Sequence, residues 1–256
     1  MTPFDALLIV LAGVVAGVMN AVVGAGTLVT FPALLLLGYP PVLANVSSTV
    51  GLVPGSVMGA IGYRATLKGR GPVIARLLIA AIIGGTAGGA LLVLLPGRTF
   101  ETVIPWLLLL SAVLAAFQPR ISSAVELRRA ARGSAGVAAP VGWGTITLVL
   151  FAAVYGGYFG AAQGVILLVV LGLALGGPLN ELNGAKNVIA GTTNLVAALL
   201  FIVISDVDWS VAALVAIGAT VGGGLGGRYG RRLPSSARRV LLVGLAVIAA
   251  ATRVLD

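Results

Sequence analysis

Eight apolar stretches dominate this chain: 4–23, 42–63, 73–95, 101–118, 141–159, 181–204, 209–227 and 237–254. A helix needs about 20 apolar residues to cross a hydrocarbon core of ~30 Å, and each stretch is close to that length. Inside lipid every backbone polar group must be satisfied within the fold, which restricts such runs to helices. The chain is therefore expected to be an all-α, polytopic membrane protein. Composition agrees. Charged residues make up 9% and apolar residues 59% of 256 positions, whereas a soluble domain carries roughly 25% charge. So few charges cannot cover a water-facing surface.

Histidine and cysteine are both absent. That excludes Ser-His and Cys-His hydrolases, zinc sites, thiol redox chemistry, haem ligation through His or Cys, and disulfides. No deep carboxylate pair replaces them, so acid–base machinery for an enzyme is missing. No cofactor and no metal are expected. A net charge of +9 in a soluble chain would suggest nucleic acid. Here the basic residues lie in loops between apolar runs, and lipid topology accounts for them.

Three short segments hold most of the positive charge: Arg64 to Arg76, Arg120 to Arg132, and Arg228 to Arg239. The positive-inside rule places them in the cytoplasm. The segments 96–102 and 205–209 face outward. The amino-terminal residues MTPFD carry no basic n-region and read as the start of an outward-facing span, not as a cleaved signal peptide. Both termini are expected outside. Trp106, Trp143 and Trp209 fall where interfacial belts lie.

Two further apolar stretches, 27–38 and 164–175, have about 12 residues each, or roughly 18 Å of helix, too short to cross. Each follows a helix-breaking cluster, Gly24-Ala25-Gly26 and Gly160-Ala161-Ala162-Gln163-Gly164. The charge pattern makes 4–38 enter and leave on the outside and 141–176 enter and leave on the inside. Each half thus opens with a hairpin of one long and one short arm. The halves also repeat. Gly84, Gly85, Gly88 and Gly89 recur as Gly222, Gly223, Gly226 and Gly227, each 138 positions on. The hairpin tips match at about 136 and the polar clusters after the short arms at about 139. Each unit has five helical elements, and an odd number inverts the second copy. The expectation is a first repeat over 1–118, a basic cytoplasmic linker over 119–140 and an inverted second repeat over 141–256. Inverted repeats with broken helices mark secondary transporters, whose sites lie near the midplane at the repeat interface. The paired GG-x-x-GG motifs read as packing devices.

Each short arm would start at its tip with its N-terminus in the membrane centre. Unpaired N–H groups and the positive end of the helix dipole favour an anion there. Gly24, Gly26, Gly160 and Gly164 would let the backbone approach it. Asn45, Ser47, Ser48 and Thr49 in the first half, and Asn183, Lys186, Asn187, Thr193 and Asn194 in the second, supply side-chain donors. Asn20, Thr27 and Gln163 lie beside the tips. Interhelical hydrogen bonding is the competing use for such polar residues. Lys186 lies roughly 9 Å inside its helix, where a charge is expensive and marks a functional site by default. Its competing uses are snorkelling to the inner interface and pairing with Glu181. Proton coupling through a buried carboxylate looks weak, and sodium coupling through hydroxyls and carbonyls stays open.

The stretch Gly17-Val-Met-Asn-Ala-Val-Val-Gly24-Ala-Gly26-Thr27, with Pro32, Gly38, Pro41, Ala44-Asn45, Ser47-Ser48 and Tyr63-Arg64, resembles the TauE/SafE sulfite exporter family. So does Gly157-Tyr-Phe-Gly160-Ala-Ala-Gln-Gly164 with Asn183-Gly184-Ala-Lys186-Asn187. The resemblance covers nearly the whole chain. It implies a carrier of small sulfur-containing anions, such as sulfite or organosulfonates, in the plasma membrane of a prokaryote. Thr27 stands where the family commonly has another glycine, and Ala161-Ala162 dilute the second tip. The expected function is secondary transport of a small anion by alternating access, with a proton or sodium as possible coupling ion. An anion channel built on the same site, or a carrier of a different carboxylate or oxyanion, is the alternative.

Overall fold

A computed structural model describes residues 1–67, 69–132, 142–175 and 178–230. The expected span 237–254, the C-terminus, Lys68, Arg231, Arg232, Arg238 and Arg239, and the end of the expected linker lie outside them. Among the described residues the regular elements are all helical: α1 (Pro3–Val22), α2 (Thr27–Leu36), α3 (Pro41–Tyr63), α4 (Gly71–Leu94), α5 (Gly97–Arg132), α6 (Trp143–Tyr158), α7 (Gln163–Ala174), α8 (Leu179–Ile204) and α9 (Trp209–Tyr229). Six of them, α1, α3, α4, α5, α8 and α9, are long and apolar enough to cross a membrane. The protein is a multi-pass membrane protein.

Local chemistry sets the helix ends. Thr2 and Asp5 form a reciprocal capping box at the start of α1, with Pro3 in the first turn. That arrangement satisfies orphan N–H groups. Asp208 caps α9 by accepting from the backbone N–H groups of Ser210 and Val211 at 3.0 Å. Pro40 and Pro178 precede α3 and α8. Gly24 and Gly160 end α1 and α6 with φ of +83° and +77°, a conformation that glycine adopts without a side-chain penalty.

The short arms appear as expected, with α2 covering ten residues and α7 twelve. Two helices differ from expectation. The stretch 141–159 forms a helix of only 16 residues, about 24 Å long, because Gly142 lies outside its start and the turn at Gly160 stops it. By contrast, α5 runs 36 residues and carries the helix through Pro119, so residues 119–132 of the expected linker are helical.

Glycines let the helices pack backbone to backbone. A Cβ on Gly222 would overlap the Val14 carbonyl of α1, and one on Gly88 the Val154 carbonyl of α6. On the opposite faces, Gly223 meets Gly55 of α3 and Gly85 meets Thr193 of α8. So α9 is wedged between α1 and α3, and α4 between α6 and α8. The GG-x-x-GG motifs are packing devices, as read. At one end of the bundle Arg70 pairs with Glu181 at 2.9 Å. At the other, the backbone N–H of Asp208 donates to Ser47 at 2.9 Å. Trp106, Trp143 and Trp209 are exposed.

Candidate functional site

The two hairpin tips abut. The Gly164 N–H donates to the Gly24 carbonyl at 3.0 Å. A Cβ on either glycine would collide with the other's backbone. At the second point of contact, the Thr27 hydroxyl lies 3.5 Å from the position a Gly160 Cβ would take, and the Asn194 side-chain Oδ1 3.8 Å from it. The starts of α2 and α7 therefore lie side by side, held apart by nothing larger than glycine.

Polar side chains then grip the C-terminal ends of the long arms. The last carbonyls of a helix have no intrahelical partner. Asn187 donates to the Ala21 carbonyl at 3.0 Å. Lys186 reaches the Ala21 and Val22 carbonyls at 3.4 Å each. In the other half, Asn45 donates to the Tyr158 carbonyl at 3.1 Å. Each half thus caps the broken helix of the other. Lys186 is 0% exposed, so it does not snorkel. Glu181 is engaged with Arg70, so the other bland use of Lys186 fails as well.

The remaining sequence-derived residues divide by position. Asn20 donates to Ser56 at 2.9 Å and lies over Gly26. Asn20 and Ser56, with Asn187 and Gly191, line a cavity of about 10 Å³, roughly the room one water needs. Gln163 is buried against Gly156 with its Nε2 lacking an acceptor. Ser48 shares a hydrogen bond with Thr30. Thr49 is buried, as is Asn183, whose Oδ1 lacks a partner. The hydrogen bonds of Ser47 and Thr193 do not reach the tip glycines. Ser47 holds the Asp208 loop, and the Thr193 hydroxyl donates within its own helix to Ile189 at 3.1 Å.

Several residues at the centre escape a reading of the sequence. Ser56 stands 138 positions before Asn194, so the repeat offset itself is the signal for it. Ser111 and Tyr155 both reach the Ala161 carbonyl, at 3.1 and 2.6 Å, and bind each other at 2.7 Å. They brace the second tip, Ser111 from α5 and Tyr155 from α6. No local pattern marks them, or Thr30, in the chain.

Fold and centre together define a class: a helical multi-pass membrane protein with paired broken hairpins and buried polar groups at their tips. The family model for sulfite exporter TauE/SafE matches residues 9–252. A probable membrane transporter protein of Haemophilus influenzae is 24% identical over 84% of this chain and 81% of its own length. The probable membrane transporter protein ORF9 of a Sinorhizobium species is 28% identical over 95% and 90%. The probable membrane transporter protein YfcA of Escherichia coli is 26% identical over 92% and 83%. No solved structure matches the chain. The chain belongs to the TauE/SafE sulfite exporter family and is a membrane transporter.

Proposed function

We propose that the protein is a secondary transporter of a small anion, sulfite or a related sulfur oxyanion or organosulfonate. The anion binds where the starts of α2 and α7 meet, and alternating access exposes it to each side in turn. The observation that carries this reading is the tip-to-tip contact of Gly24 and Gly164 beside the buried Lys186. Helix N-termini favour anions, and Lys186 is the one basic side chain buried there among the described residues. The family name supports a sulfur oxyanion as cargo.

Support for an inverted repeat comes from the packing. The contacts of α9 with α1 and α3 have counterparts in those of α4 with α6 and α8. Gly223 on Gly55 and Gly85 on Thr193 are related by the same 138-residue offset. Two such units can rock against each other about a central site. The basic end, with Arg64, Arg70 and Arg76, is assigned to the cytoplasm and the amino-terminus to the outside.

Contact between the tips favours a carrier over an open channel. The cavity beside them has room for about one water, less than an oxyanion needs. The tips must therefore part to admit cargo, and parting them breaks the Gly164–Gly24 hydrogen bond. The test is reconstitution in liposomes with radiolabelled sulfite, sulfate, thiosulfate and methanesulfonate. Saturable counterflow of labelled against unlabelled anion is expected for at least one. A flat response to all four would defeat the reading.

A further inference from the structure

Lys186 is the only charged side chain that is fully buried among the described residues. Its Nζ touches two carbonyls, of Ala21 and Val22, both at 3.4 Å, longer than the usual 2.7–3.2 Å range. These carbonyls end α1 and carry the negative end of its dipole. An ammonium has three N–H donors, whereas a neutral amine has two. Two carbonyls therefore match the amine and leave the ammonium with one donor unspent and its charge only partly offset.

Among the described residues, no side chain supplies Lys186 with a counter-charge. Glu181, on the same helix, is held by Arg70. On α1 the acid is Asp5, sixteen residues before Ala21 and so about 24 Å away along the helix. Tyr63 is the titratable residue of α3 and Arg76 of α4. Tyr155 and Tyr158 come from α6, with the Tyr155 hydroxyl spent on Ala161. Arg64 follows α3. The longer α5 carries Arg98, Glu101, Arg120, Glu126, Arg128, Arg129 and Arg132, and α7 carries no titratable side chain. Among the described residues, none of these groups bonds Lys186 Nζ, whose partners are the Ala21 and Val22 carbonyls. A second donor is also unspent at the tips: Nε2 of Gln163, the first residue of α7. Its neighbour Gly164 presents a Cβ position 3.1 Å from Lys186 Cδ.

From this geometry we infer that the cargo is a monoanion and that it crosses together with one proton held on Lys186 Nζ. The inference rests on the transport reading and adds the coupling ion and the charge of the cargo. An enclosed ammonium without a partner is costly, and a monoanion beside it cancels that charge. The amine takes one proton from the water on the entry side and returns it to the water on the exit side. No bond within the anion changes. Loaded and empty carrier are both neutral at the centre, so transport is electroneutral.

Methanesulfonate is the probe, because its charge does not change with pH. In wild-type proteoliposomes an inward gradient of one pH unit is expected to accumulate it about tenfold. A potassium–valinomycin potential is expected to leave that uptake unchanged, and an internal pH dye to report one proton entering per anion. Lys186→Gln and Lys186→Arg are expected to lose the pH-driven accumulation, and any residual uptake by Lys186→Gln to become sensitive to potential. Wild-type uptake driven by potential or by sodium would overturn the inference, as would pH-driven uptake persisting in both variants. Sulfite counterflow without methanesulfonate counterflow would overturn it and leave the transport reading standing. Absence of counterflow for every anion would defeat both. The wild-type measurements decide the matter even if neither variant inserts.

Discussion

Gly24 meets two demands at once: a φ of +83° and a neighbour, Gly164, that leaves no space for a side chain. Gly38 shares the same φ but faces open space. Comparing Gly24→Ala with Gly38→Ala therefore isolates the tip contact. Backbone strain at such a position costs about 1–3 kcal/mol and is common to both. The Gly24 variant is expected to melt at a clearly lower temperature in detergent, since it also forces the tips apart. Equal losses would remove the contact as the reason for glycine there. Asn187 tests the cap on α1. Replacing it with Leu strips the Ala21 carbonyl of its 3.0 Å donor and leaves it only the long 3.4 Å contact with Lys186, and an under-satisfied buried group costs roughly 1–3 kcal/mol. Thermal unfolding of Asn187→Leu checks that value, and a loss below about 0.5 kcal/mol would contradict the capping role. The need for Gly24 is visible in the chain as a glycine cluster after an apolar run. Its partner is not, because Gly164 is brought to it by packing alone.

Among the helices, close approach is the governing feature. The α4–α6 and α9–α1 seams rely on glycines at which a Cβ would strike a backbone carbonyl. Rigid helix backbones cannot yield as side chains do, so overpacking there is severe. Gly88→Leu and Gly222→Leu are each expected to abolish a stable monodisperse species in size-exclusion chromatography. Gly144→Ala, on the exposed start of α6 with nothing within 4 Å, is expected to be neutral or to gain up to about 1 kcal/mol from helix propensity. The GG-x-x-GG repeats announced these seams in advance. The length of α6 was less legible. An apolar run of nineteen residues looks like a full span, but the chain leaves the helix at Gly160 to make a tip. Hydropathy registers what a segment is made of and not where it turns, so it overstates the helix. It understates α5 for the converse reason, since polar residues after Pro119 do not stop a helix that packing continues.

For the whole molecule the open geometric question is direction. The chain has no cysteine, so single introduced cysteines report cleanly. Thr99→Cys and Ser123→Cys, both at exposed positions near opposite ends of α5, are expected to label from opposite sides. An impermeant maleimide added outside intact cells should reach position 99, and position 123 only after permeabilisation. Labelling of both from one side would remove the assigned orientation and weaken the inverted arrangement built on it. The Arg70–Glu181 pair near the basic end is partly exposed, 23% and 31%. Glu181→Gln is therefore expected to change stability by less than about 1 kcal/mol.

Apolar length, loop charge and glycine clusters determined from the sequence that this is a helical membrane protein with two interrupted hairpins. Those are local properties, set by transfer free energy and backbone freedom within a single segment. Tertiary structure alone decided that the Gly24 carbonyl receives the Gly164 N–H. It also decided that Lys186 lies against the end of a helix 165 residues earlier, and that Ser111 and Tyr155 brace the second tip. These contacts join segments far apart in the chain, and only the close packing of the whole bundle brings their atoms within reach of one another.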